Sequence, residues 1–229
     1  TYRQSSKMSK ELRELDKENI LLARGPAVRL TAEMIRDNAL MNSGLLNTKI
    51  GGESVKPYQP AGLWKVNGYN YDQDTGAKLY RRSMYTIWKR SVPHPTLATF
   101  DAPSRSECTV RRQKTNTPLQ ALVLLNDPTF VEASKVMGEK IARFDTIQEG
   151  ITETFMKLTG RKPNGIELGI LLELQEKQYT EFKQQEGKAA GWLTSGEYEP
   201  DGKLDANLIA ANAVVASAIM NSDATITKR

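Results

Sequence analysis

Cysteine and histidine are almost missing from this chain: Cys108 and His94 are the only ones in 229 residues. A single cysteine excludes an intrachain disulfide, and the pair cannot supply the CxxCH of haem attachment or a Cys/His zinc site. No DxDxDG loop is present either, so a metal site would have to be assembled from scattered carboxylates and carbonyls. No cofactor is expected in this segment. Long apolar runs are lacking too. The most apolar stretch, Leu208 to Met220, is Ala-rich and broken by Asn212 and Ser217, short of the roughly 18 residues that span a bilayer. No transmembrane segment is predicted. The pair Gly51-Gly52 precedes no GK[ST], and no helix-turn-helix, RNP, KH or zinc-finger pattern occurs. These absences argue against nucleotide and nucleic-acid binding. Internal repeats and low-complexity segments are also absent.

The composition, 39% hydrophobic and 26% charged, is that of a globular protein able to bury a core. Charge is distributed unevenly. Arg81 to Pro118 holds eight Lys or Arg against Asp101 and Glu107, a net +6 in a chain whose total is +5. The cationic character is therefore local, and Tyr85, Trp88 and Phe100 are interleaved with it. A modest total excess identifies no partner by itself.

Periodicity and capping residues divide the chain near residue 117. In the loop-rich part, 1–116, Thr31 caps a helix that carries Glu33 in its first turn, with Ile35, Ala39 and Leu46 on one face and a break at Gly44. Gly51 to Tyr71 reads as a long irregular segment. Leu79 to Arg90 alternates Met84, Thr86, Trp88 against Tyr85, Ile87, Lys89, a candidate strand forming half of a small hairpin near Tyr80 to Trp88. Pro93 and Pro95 end it. The helical part, 117–229, opens on Thr117-Pro118 with Gln120 completing a capping box. Asn126 ends that helix, and Asp127-Pro128 starts the next, with Phe130, Ala133, Met137, Ile141 and Phe144 on one face. Thr146 with Glu149 caps a third, faced by Ile147, Ile151, Phe155 and Leu158. Gly160 to Pro163 turns into a fourth, Gly165 to Gln185. Gly187 to Gly202 reads as loop, and Asp205 caps a last helix through Ile219. The predicted class is mainly α: an irregular N-terminal third with one small hairpin, then an antiparallel helical bundle.

Three constellations could carry chemistry. In the first, Arg81, Arg82, Arg90, Arg105, Arg111 and Arg112 line a cleft for an anionic ligand, such as a sulfated or uronic-acid glycan. Guanidinium forks match sulfate and carboxylate, and Trp64, Tyr85 and Trp88 would stack on sugar faces. The competing reading pairs the same arginines with Glu33, Asp37, Asp101 and Glu107 as a structural network that ties loops to the bundle. In the second, Cys108 and His94 form a thiol–imidazole pair, set against the ordinary fate of a free cysteine, burial. In the third, two of Glu33, Asp37 and Asp101 act as a glycosidase acid and base, or pair with Arg36 on a helix surface.

The order of irregular motifs resembles the DUF1553, or PSD1, domain of planctomycetes and related bacteria. The match begins at Tyr2-Arg3-Gln4-Ser5-Ser6 and runs through NILLAR (19–24), AEMIRD (32–37), GGESVKPYQP (51–60), Leu63-Trp64 and LYRRS (79–83). It is tightest at FDAPSR (100–105), CTVRR (108–112), TNTPLQAL (115–122) and LNDP (125–128). The resemblance implies one domain over 1–229 that lacks its first helices. The opening TYRQSSKMSKEL, without initiator Met or signal core, fits a piece whose true N-terminus lies elsewhere. It also implies a larger exported protein, hence an extracytoplasmic location. The implied partners are upstream domains of the same polypeptide, one of them cytochrome-c-like and the only place for haem. It carries over no catalytic residues. The expected function is a noncatalytic binding or scaffold module that engages an anionic polysaccharide or a partner domain. A glycan-acting hydrolase is the alternative.

Overall fold

The computed structural model describes residues 4–185 and 187–228, at 66 and 67 the backbone alone. Tyr2 and Arg3 of the YRQSS motif lie outside the described residues. Among the described residues ten α-helices are separated by irregular chain: α1 Lys10–Leu15, α2 Ala32–Ser43, α3 Pro95–Thr99, α4 Pro118–Asn126, α5 Pro128–Ala142, α6 Ile147–Thr159, α7 Gly165–Gln184, α8 Lys188–Leu193, α9 Ala206–Met220 and α10 Asp223–Ile226. The fold is mainly α, as the sequence predicts. Among the described residues the one sheet pairs β1 Val28–Arg29 with β2 Thr227–Lys228, antiparallel, so the C-terminal end of the described chain returns to the segment just before α2.

Local signals account for most helix ends. Thr31, Thr117, Asp127, Thr146 and Asp205 each accept a backbone N–H of the first turn, satisfying donors that have no intrahelical partner. Asn164 and Glu167 complete a reciprocal capping box on α7. Gly44 and Gly160 end α2 and α6 in the left-handed conformation.

The core forms around α5 and α9. Phe130, Ala133, Met137 and Ile141 pack with Val215, Ala216, Ile219 and Met220, and with Ile35 and Ala39 of α2 and Ile151, Phe155 and Leu158 of α6. Each fully buried large apolar side chain contributes about 1.5–3 kcal/mol. α5 and α9 cross at van der Waals contact: a Cβ on Gly138 would sit 2.6 Å from both Ala213 N and Ile209 O. Glycine is required there by the approach of backbone to backbone.

Four expectations are corrected. The hairpin at Tyr80 to Trp88 does not form. Ser83–Tyr85 is a single 3₁₀ turn, because the Ser83 N–H and hydroxyl both bond the Asp37 carboxylate, at 2.8 and 2.7 Å. That pulls the backbone out of a ladder and leaves isolated bridges, Arg81 to Asn47, Thr86 to Val55 and Lys89 to Val92. The Gln120 N–H bonds the Thr117 hydroxyl, but the Gln120 side chain does not return to the Thr117 N–H. It is buried, donating to Thr99 O and Thr115 Oγ1 and accepting from Arg29. Within the 187–202 loop lies helix α8. Phe144 falls beyond α5 and is 41% exposed, so the apolar face of α5 ends at Ile141.

α5 is buried on both sides. Its second face carries Glu132, Lys135 and Glu139, all buried, and segment 193–201 covers it. Lys135 Nζ donates to the carbonyls of Leu193, Ser195 and Tyr198. Glu132 Oε1 accepts from Tyr80 OH (2.8 Å) and Tyr198 N (2.7 Å). Gly196, at φ +77°, lies so close that a Cβ would collide with the Glu132 carboxylate.

Candidate functional site

The Arg-rich segment separates into an inner set and an outer set. Arg81, of the inner set, is buried and lies 3.8 Å over the Tyr85 ring. Its guanidinium donates to the carbonyls of Lys49, Gly51 and Glu53, so it holds the irregular 49–53 segment by its backbone. Arg82 is half-buried beside the Tyr85 hydroxyl. That hydroxyl also accepts the Gly51 N–H at 2.8 Å. Behind them, Arg36 of α2 is 2% exposed and donates to Leu79 O, Arg81 O and Ser83 Oγ. Sequence reasoning treated Arg36 as a surface ion-pair partner. Its position shows otherwise: Ala32, Ile35, Arg36, Ala39, Leu40 and Ser43 form one buried stripe, and Arg36 occupies an apolar place in that pattern.

The outer set sits on one loop. The Asp101 carboxylate accepts the Thr115 N–H at 2.7 Å and the Thr115 hydroxyl. This closes residues 102–114 into a ring of Ω-loop size. Asp101 itself adopts φ +62°. Two further ties hold the ring: Trp88 Nε1 donates to Ser104 O at 2.7 Å, and Arg112 bonds Glu33 of α2 at 2.9 Å. Burial pushes the Glu33 carboxyl up, but its backbone hydrogen bond and Arg112 outweigh that and hold it below the usual carboxylate range. The ring carries Arg105, Arg111, Arg112 and Lys114 against Glu107, a net +3. Arg105 lies 4.8 Å over the Trp88 ring, and Val110 to Thr115 line an open hollow of about 890 Å³. Arg111 and Lys114 are exposed there. Arg90 is exposed on the chain after Trp88.

The other candidates are placed as follows. His94 is 4% exposed. Its Nε2 lies 2.9 Å from Tyr58 O, and a carbonyl only accepts, so Nε2 carries the proton. His94 Nδ1 has no hydrogen-bond partner among the described residues, whereas Cys108 is exposed on the basic ring; the two do not form a hydrogen-bonded dyad. Burial, with Arg36 adding to it, lowers the imidazole to about 4 against the opposing Asp127. Asp37 is committed to Ser83 and lies 4.0 Å from Arg36. Asp101 is committed to Thr115. Among the described residues no group of three or more His, Cys, Asp and Glu could hold a metal ion, and no helix is long and apolar enough to cross a membrane.

Trp64 is 9% exposed. Tyr71 packs edge to face against it, centroids 5.0 Å apart, and Lys89 Nζ lies 4.7 Å over its ring. Lys89 was not foreseen as part of any site. Its place in the Met84-to-Lys89 alternation pointed it to a strand face, not into an aromatic cluster.

No curated protein and no solved structure matches the chain. A family profile described as PSD1, protein of unknown function (DUF1553), matches residues 1–175. The match ends inside α7, although α9, beyond it, shares the core with α2, α5 and α6. By that match the chain belongs to the PSD1 (DUF1553) family of proteins of unknown function.

Proposed function

We propose that the chain is a noncatalytic binding module, part of a larger extracytoplasmic protein, whose basic ring engages an anionic polysaccharide. One observation carries this reading. The ring 102–114 is fixed at its base by Asp101–Thr115 and on its flanks by Trp88 and Glu33, while Arg111 and Lys114 stand exposed on its open side. A preorganised cationic loop loses little conformational freedom on binding, and guanidinium matches sulfate or carboxylate bidentately. The carboxylates named for acid–base chemistry support the noncatalytic side: Asp37 and Asp101 spend their oxygens on backbone and hydroxyl donors within the fold.

Wild-type protein titrated with a heparin hexasaccharide and with oligogalacturonate, from about 0.05 to 0.3 M NaCl, tests this. Binding to at least one is expected, weakening as salt rises, with the Trp88 indole N–H resonance shifting because it is bonded to the ring at Ser104. Absence of salt-sensitive binding to both overturns the reading.

A partner-domain reading is favoured by a different feature. Directly after the ring, α4 exposes Leu119, Leu122 and Leu125, at 57, 55 and 44%, a one-sided apolar stripe of the kind that marks protein contacts. In this reading haem belongs to an upstream cytochrome-c-like domain of the same polypeptide.

A further inference from the structure

We propose that a second, separate pocket, lined by residues 59–62, 64, 65 and 70–73 with Lys89 against the ring of its Trp64 wall, binds an oxyanion: the carboxylate or sulfate of an acid sugar. The sugar part of this ligand class rests on the glycan reading above; the oxyanion site does not depend on the basic ring. Three donors carry the inference. Gln59 Nε2, Trp64 Nε1 and Lys89 Nζ are all buried and have no hydrogen-bond partner among the described residues. Native structures pair nearly all such groups, so three orphans in one neighbourhood ask for an acceptor.

The three are spatially linked. Gln59 and Trp64 both line a hollow of about 430 Å³. Lys89 Nζ lies over the Trp64 ring and 3.9 Å over the Tyr69 ring. Two aromatic faces offset part of the cost of holding an ammonium out of water, but they supply no lone pair. No carboxylate forms an ion pair with Lys89 among the described residues; Asp74 is engaged by the Lys56 N–H and by Lys78. Tyr69 is 61% exposed, so the outer face of the cluster is the side from which an anion would reach Lys89. Turning the Gln59 amide toward the hollow lets it and the Trp64 N–H share the remaining lone pairs. Asp72 on the rim is exposed. It repels a bare anion and accepts hydroxyl protons, and that selects a hydroxylated acid over an inorganic one.

The protein has three tryptophans, so the Trp64 and Trp88 indole N–H resonances report separately on this pocket and on the basic ring. Titration with glucuronate is expected to move the Trp64 signal downfield to saturation and leave Trp88 still; glucose, lacking the acid, moves neither. Inorganic sulfate moving Trp64 would support the oxyanion chemistry and identify a free anion as a source. Lys89→Met, which keeps the stem and removes the charge, is expected to weaken glucuronate about tenfold or more. Gln59→Glu, followed by calorimetry, should weaken it comparably by placing a like charge in the pocket, and guards against a misfolded Lys89 variant. A Trp64 signal indifferent to both glucuronate and sulfate, or unchanged affinity in both variants, overturns the proposal. A silent Trp64 with a responsive Trp88 removes this pocket and leaves the basic ring standing.

Discussion

Arg36→Met is expected to cost about 3 kcal/mol or more, the largest loss of any single substitution named here. Each buried acceptor left without its donor costs roughly 1–3 kcal/mol, and Arg36 serves three: Leu79 O, Arg81 O and Ser83 Oγ. Methionine fills much of the volume, so the loss measures hydrogen bonding rather than a cavity. Asp37 would also lose the nearby guanidinium that accompanies it out of water. Arg36→Lys should fall between, since one ammonium retains the charge but lacks the planar fork that reaches acceptors on both sides. Urea denaturation measures the cost. Hydrogen exchange should show faster opening at Leu79 to Tyr85, the segment the guanidinium holds, before the α5–α9 core opens. A variant within about 1 kcal/mol of wild type would show that the inner arginines are not what fastens the loop-rich part to the helices.

The second large effect is pH-dependent. In the fold the His94 imidazole is held to about 4, chiefly by burial, whereas its ordinary value is 6.5. Between those limits the unfolded chain binds the extra proton and the folded one does not. Stability is therefore fully present above pH 6.5 and lost as pH falls toward about 4, a change of about 3 kcal/mol. Carboxylates lowered in the fold act at the acid end of this range and below it; Glu167, held to about 2 chiefly by Arg161, is one of them. As the only histidine, His94 gives one ring resonance, and its NMR titration isolates it. Urea midpoints at pH 7 and pH 5 should differ, and His94→Gln should flatten the difference. A ring that titrates near 6.5 without a stability slope would contradict the burial argument.

How much of this was legible in the sequence depended on how local each cause is. The helix starts at Thr31, Asp127, Thr146 and Asp205 were readable because a cap is decided within four residues, and the apolar faces of α5 and α6 because periodicity needs no partner. The hairpin failed because Ser83 answers to Asp37, a residue 46 positions away. α8 was missed because Lys188–Leu193 is six residues long, too short for a periodic signal. The polar face of α5 reads as solvated in any window of sequence; only segment 193–201, folded back over it, makes Glu132 and Lys135 interior. Arg36 was the exception: its place in the 32–35–36–39–40–43 stripe was visible, and the preference for ion pairs on helix surfaces obscured it. For the site, the sequence located the cationic segment but not its division. That division comes from the Asp101–Thr115 closure and from the carbonyls of 49–53 turning inward, neither of which spacing encodes.

We propose that one Arg-rich segment does two separate jobs, folding through Arg81 and binding through Arg111 and Lys114. The direct measurement sets melting temperature beside heparin-hexasaccharide affinity for two proteins, Arg111→Gln/Lys114→Gln and Arg81→Lys. The double variant is predicted to melt with wild type and bind about tenfold more weakly, as the loss of two exposed charge contacts implies. Arg81→Lys should melt several degrees lower, having given up carbonyl bonds to 49–53, yet bind with wild-type affinity at a temperature where it is folded. Unchanged affinity in the double variant, or an equal loss in Arg81→Lys, would contradict the division.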